Sequence, residues 1–298
     1  MKKQLLMILA LVLCFMMFAC TQDDAPQTDE NEPQCSHEYK DGICIFCEAI
    51  KLSGGLTYQL NSDGTAYVVA GIGNCADTAI VIPSQYKGLP VASVGDMAFK
   101  DCVSLESVVV PDSVKSIGAG AFFGCVSLES IAGLNSVTDI GQYAFQGCTS
   151  LKSIMIPNGV TVIDRGVLTN CTSLESITIP DGVTTIGNTA FSDCESLESI
   201  VIPDSVTSIG HSAFSDCVRL ESVTIPDSVT SIGGYAFSNC VSLEGITIPD
   251  GVVSIDSFAF QRCTNLTIYC KVNSQPEGWE KHWNYDARPI VWGYTGEE

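Results

Sequence analysis

The apolar positions of this chain recur at a fixed interval. One stretch reads CESLESIVIPDSVTSIGHSAFSD, with apolar residues at Cys194, Leu197, Ile200, Ile202, Val206, Ile209, Ala213 and Phe214. Cys102, Cys125, Cys148, Cys171, Cys194, Cys217, Cys240 and Cys263 hold the same place in successive copies, 23 residues apart without one insertion. No single copy can bury its own apolar edge, so each is stable only against its neighbours, and the chain is expected to coil as a solenoid.

Within one copy, Ile200, Val201 and Ile202 alternate as a short strand whose outer pair points to the core. Pro203 ends it, because proline cannot donate to a central ladder, and Asp204 and Ser205 supply turn chemistry. Val206 and Ile209 return to the interior, Gly210 allows a bend, and Ala213-Phe214 begins a return leg. A 23-residue period lies within the leucine-rich repeat range of about 20–29. The expected fold is therefore a leucine-rich repeat solenoid: a parallel β-sheet of short strands about 4.8 Å apart, with short helical or irregular return legs. Two departures keep the length of the turn: Val167-Leu168 stands for Ala-Phe, and Leu134 for the proline.

At the ends the pattern changes. Asp63-Gly64 between strand-like runs signals a hairpin, and Ile80-Val81-Ile82-Pro83 starts the array. A five-residue expansion at Tyr86-Lys87-Gly88-Leu89-Pro90 follows. Trp279, Trp283 and Trp292 fall in the last twenty residues, where an open solenoid end needs apolar cover; the alternative is an aromatic binding patch. The expected division is an export signal at 1–19, a tether at 20–34, a small Cys/His module at 35–50, an N-terminal cap and first repeat at 51–101, repeats at 102–263 and a Trp-rich cap at 264–298.

The segments IPDSVTSIG, AF-x-x-C and C-x-S-L-E-S-I resemble the BspA-type leucine-rich repeat proteins of bacterial surfaces, over residues 56–294. The resemblance implies a right-handed curved solenoid and attachment to host matrix proteins, host cells or other microbes.

Lys2 and Lys3 precede an apolar run from Leu5 to Phe18, the pattern of an export signal and too short for a comfortable membrane span. Met17-Phe18-Ala19-Cys20 resembles a bacterial lipobox, which implies lipidation at Cys20 and a membrane association through that anchor alone. Phe18 departs from the usual small residue, so ordinary secretion is the alternative. Residues 21–34 hold five acids and no bases, a composition that cannot order itself. The formal net charge of −20 disfavours nucleic acid, whose phosphates require Lys and Arg.

Fifteen cysteines in an exported chain would ordinarily suggest a disulfide framework. Here Cys14 lies in the export signal, and eight form the periodic column, with Cys75 as an extra rung. Equivalent side chains in a parallel stack point the same way, which suits disulfide torsions poorly, so buried thiols are expected over bridged pairs. Cys270 has no assigned role. Cys35, His37, Cys44 and Cys47 form C-x-H-x6-C-x2-C, a soft donor set that suits one structural zinc; the rival is a disulfide among the three cysteines.

The expected binding face lies on the strands. Its outward positions are Val109, Ala132, Met155, Thr178, Val201, Thr224 and Thr247, beside Ser107, Ser130, Ser153, Ser176, Ser199, Ser222 and Gly245. Glu106, Glu129, Lys152, Glu175, Glu198, Glu221 and Glu244 form a third column. Stacked like charges repel; either water, salt and side-chain splay relieve them, or the ladder meets a basic partner or divalent cations. Asp112, Asp181, Asp204, Asp227 and Asp250 read as turn formers. Ser and Asp recur identically in every copy, whereas catalysis needs unlike groups converging once, so an enzyme is not expected. His211 is read as a surface loop residue and His282 as part of the cap. These features point to a monomeric surface scaffold adhering to an extracellular protein or glycan, with a structural envelope protein as the alternative.

Overall fold

The computed structural model describes residues 52–74 and 76–296, and the backbone of residues 39–40 and 43–44. The 23-residue copies form the turns of one parallel β-solenoid. Each turn carries two short strands, where the sequence suggested one. In the turn that starts at Cys194 these are Ser199–Val201 and Ser208–Ile209. The first column pairs Ser199 with Ser222 and Ser153 with Ser176, in parallel and without slippage. The second column runs unbroken through five strands, from Val162–Ile163 to Ser254–Ile255.

Turn chemistry shapes the corners. After the first strand, the amide of Val206 donates to the carbonyl of Pro203 at 3.0 Å, and Val183 and Val229 do the same to Pro180 and Pro226. Leu134 takes the proline's place in a turn where Gly133 stands for the buried isoleucine. There the chain forms a single 3-10 turn, Leu134–Ser136, and Leu134 is buried in compensation.

The return leg is irregular, and Leu134–Ser136 is the sole helical segment among the described residues. The cause is backbone geometry. Ser212 and Asp216 have φ of 53° and 62°, and every leg repeats this left-handed pair four residues apart. A left-handed residue breaks an α-helix, so amides along the leg alternate between two kinds of partner. Ala213, Ser215 and Cys217 donate back within the leg, to Gly210, Ser212 and Phe214. Ser212, Phe214 and Asp216 donate forward to Gly234, Ala236 and Ser238 of the next turn, at 2.9, 2.7 and 2.8 Å. The strand amides donate the other way, Thr207 to Thr184 and Gly210 to Ile186, so each turn is bonded to both neighbours.

Gly210 does not serve as a bend. A Cβ there would lie 2.6 Å from the amide nitrogen of Asn188 in the preceding turn, and Gly118, Gly141 and Gly233 meet the same obstacle. Glycine is required because two backbones approach closely.

Inside, like stacks on like. Phe191, Phe214, Phe237 and Phe260 lie nearly parallel with centroids 5.3 to 5.8 Å apart. Val167 and Leu168 are both buried and interrupt the ring stack while keeping the coil. The thiols from Cys125 to Cys263 are buried and unbridged, and each donates to a carbonyl 26 residues earlier at 2.9 to 3.3 Å. Cys102, at the head of the column, is half-buried. Burial pushes the Cys125 thiol up to about 12 and those of Cys171, Cys194 and Cys217 well above the ordinary 9.0. Cys270 is also buried, at the end of the strand Thr267–Cys270, which pairs with Gly245–Ile248.

Both ends are closed. The hairpin expected at Asp63-Gly64 joins Thr57–Leu60 to Tyr67–Gly71, and the second of these strands pairs in parallel with Leu89–Val94. The expansion at Tyr86 is a second tight hairpin, turned by Lys87 and Gly88 at φ 48° and 79°. At the other end Trp279 and Trp283 are buried, and Trp283 meets Phe260 edge-on at 6.0 Å. The Trp279 indole donates to the carbonyl of Val252 at 3.0 Å. These contacts favour the lid reading over a binding patch.

Phe214→Ala should cost about 3–5 kcal/mol, the usual loss for an unfilled aromatic site in a core; equilibrium urea unfolding reads this, and a loss near zero would contradict the stacked-core description. The thiols give a second test. The folded pKa values of Cys125, Cys148, Cys171, Cys194, Cys217 and Cys240 lie above the unfolded 9.0, so the stability these thiols contribute is full below pH 9. It is lost as pH rises from 9 towards 12, at about 1.4 kcal/mol per pH unit for each thiol. Melting temperature should fall steeply above pH 9, while native chain at pH 8 should resist iodoacetamide at every column thiol except Cys102.

Candidate binding faces

The first strand column builds a surface of short parallel ladders, interrupted between Thr178 and Ser199 and between Thr224 and Gly245. The centre of each strand points inward, with Ile177, Ile200 and Val223 buried, and the flanking residues point out. Ser176, Thr178, Ser199 and Thr224 are exposed, and Thr247 is half-buried. Val201 and Met155 are 74% and 63% exposed, which sets two apolar side chains among the hydroxyls. A shallow depression of about 190 Å³ lies between Ser153, Met155, Ser176 and Thr178.

Glu175, Glu198, Glu221 and Glu244 stand exposed at the entry to these strands. The amide of Glu221 donates to the carbonyl of Glu198, and that of Glu175 to Lys152, which fixes the column in register. Repulsion is relieved partly from within: Arg219 reaches back one turn to pair with Glu198. Both partners are well exposed, so the pair contributes little to stability.

Cys20, Cys35, His37 and Cys47 lie outside the described residues, as does Cys75. Of the metal motif only the backbone at Cys44 is described, opposite Tyr39 in a two-residue hairpin. The His211 ring meets Tyr235 edge-on at 5.4 Å, and its amide donates to Asn188 Oδ1 at 2.9 Å.

A second surface was not anticipated from the sequence. Along the second strand column runs a groove of about 330 Å³. Its floor is Gly187, Gly210 and Gly233; one wall carries Thr185, Ser208, Ser231 and Ser254, and Asn188, His211 and Asp256 also line it. Beside it stands a row of rings: His211, Tyr235, Phe258 and His282, with centroid spacings of 5.4, 5.0 and 6.1 Å, and the exposed Tyr285 at 5.0 Å from Phe258. The spacing of these residues, close to 23, was the available signal.

Known proteins agree with this architecture. The family described as BspA type leucine-rich repeat region matches in six copies over residues 73–198 and 184–275. A leucine-rich repeat protein from Bacteroides ovatus is 30% identical with a TM-score of 0.61, over 80% of this chain and 70% of that one. A T. pallidum leucine-rich repeat protein is 33% identical with a TM-score of 0.58, over 63% of this chain and 88% of that one. No curated protein matches the chain. With the family match covering most of its length and the repeats folded as a parallel β-solenoid, the chain belongs to the BspA-type leucine-rich repeat family.

Proposed function

We propose that this chain is an exported, lipid-anchored surface protein that adheres to host proteins, glycans or other cells through the first strand column. The fold itself is that of a repeat protein for protein binding. The observation that carries the adhesive reading is the exposure of the same side chains in consecutive turns: Glu175, Ser176 and Thr178 recur as Glu198, Ser199 and Val201, then Glu221, Ser222 and Thr224. A partner that engages one turn weakly can engage several at once, and modest affinities then multiply through effective concentration. The absence of a core residue from these columns leaves them free for recognition.

In this reading Cys20 carries the lipid and residues 21–34 hold the solenoid clear of the membrane. No helix among the described residues is long and apolar enough to cross a bilayer. Cys35, His37, Cys44 and Cys47 hold one structural zinc, which closes a module too small for an apolar core.

Purified protein should bind a matrix protein, a mucin or an intact bacterial surface in a solid-phase assay. Replacing Glu175, Glu198 and Glu221 together by Lys should weaken a basic partner at least about tenfold, or 1.4 kcal/mol, without moving the melting temperature. Binding to none of these surfaces, together with crosslinks on intact cells only to envelope components, would favour a structural envelope role instead. Elemental analysis should find about one zinc per chain; none after metal-replete refolding would remove the zinc assignment.

A further inference from the structure

The groove over the second strand column is built differently from the face just described. Its floor is fixed by the approach of the turns, because a Cβ at Gly187, Gly210 or Gly233 would lie within 2.8 Å of the preceding backbone. Asp164 interrupts the glycine column one turn before Gly187, separating these three from Gly118 and Gly141, and Asp256 follows one turn after Gly233. The three glycines leave a floor without side chains, and Asp256 lines the groove at one end.

Unlike polar groups converge at one end. At Gly234 a Cβ would lie 3.3 Å from His211 Nδ1 and 3.6 Å from Asp256 Cβ, so the glycine keeps open the gap between imidazole and carboxylate. The ring of Tyr235 stands against His211, and Asn188 lines the same trough. Tyr235 and Phe258 hold φ of 58° and 66°, at a position where Gly120 and Gly166 serve in other turns. Bulky residues in the left-handed region cost on the order of 1–2 kcal/mol each. Tyr143 is a third ring at this position in an earlier turn, and Tyr235 and Phe258 are the two that continue the row from His211.

We infer that this trough is a binding site for a short neutral or N-acetylated glycan, in a place distinct from the strand face proposed for adhesion. Hydroxyls of Thr185, Ser208, Ser231 and Ser254, with Asn188, His211 and Asp256, offer the mixed donors and acceptors that vicinal hydroxyls require. Successive turns stand about 4.8 Å apart, close to the length of one pyranose unit, so a linear glycan meets the same wall once per sugar. The apolar edge of the ring row receives its C–H faces. A chain of net charge −20, with Asp256 in the lining of the trough, repels sulfated and uronic glycans.

The test uses the purified full chain and glucose or N-acetylglucosamine oligomers of one to six units, titrated by calorimetry and saturation-transfer NMR. Affinity should rise with length up to three units and then level off. His211→Ala, Tyr235→Gly and Asp256→Gly each install a residue that the equivalent position already carries elsewhere, as Ala119, Gly120 and Gly233, so the variants should fold and melt as the parent does. Combined, they should weaken glycan binding at least about tenfold and leave strand-face binding unchanged. Binding to none of the oligomers overturns the proposal. So does binding that the triple variant leaves intact, or preference for a heparin fragment or an apolar peptide over every neutral oligomer.

Discussion

A single turn of this protein has no interior. Its apolar residues face a strip too narrow to enclose anything, and they become a core only when the next turn lays the same residues 23 positions later against them. That requirement forces like onto like: phenylalanine on phenylalanine, thiol beside thiol, glycine beneath the backbone of its neighbour. It also fits the absence of insertions between Cys102 and Cys263, and the one expansion before them is looped out as the hairpin at Tyr86, which leaves the columns in register. Variation is confined to swaps that conserve volume, such as Val167-Leu168, or that restore a lost contact, such as Leu134 beside Gly133.

The same requirement separates what sequence reading reaches from what it does not. Ile200 and Ile202 flank an exposed Val201, a visible alternation, and the strand they imply forms. Ser208–Ile209 is a strand of two residues, too short to show any period, and it is defined by its neighbours in the ladder. Glycine at 210 looks like a bend in one chain and proves to be a contact between two turns, a distinction that needs the third dimension. The left-handed residue before each column cysteine was marked by its chemistry: Asp101, Gly124, Gly147, Asn170, Asp193, Asp216 and Asn239 tolerate that conformation, with Arg262 the departure. The other left-handed column carries Met97, Tyr143, Tyr235 and Phe258, which give no such hint.

The two surfaces follow the same division. Ser176, Thr178 and Glu175 were readable as a face because alternation points them outward. The trough was not, because its floor consists of missing side chains and its walls come from strands that show no pattern. Its ring row required noticing that His211, Tyr235 and Phe258 are nearly one period apart.

The thiol column has a consequence for the birth of the protein. Folded, the cysteines from Cys125 to Cys263 are sealed and each is tied to a carbonyl. Unfolded, the same residues close loops of 23, short enough for any neighbouring pair to meet and oxidise. In any oxidising space, correct assembly is therefore a race between coiling and crosslinking. The solenoid is well placed to win it, because its ladder and core thiol bonds join a turn to the one beside it, and low sequence separation makes for fast folding.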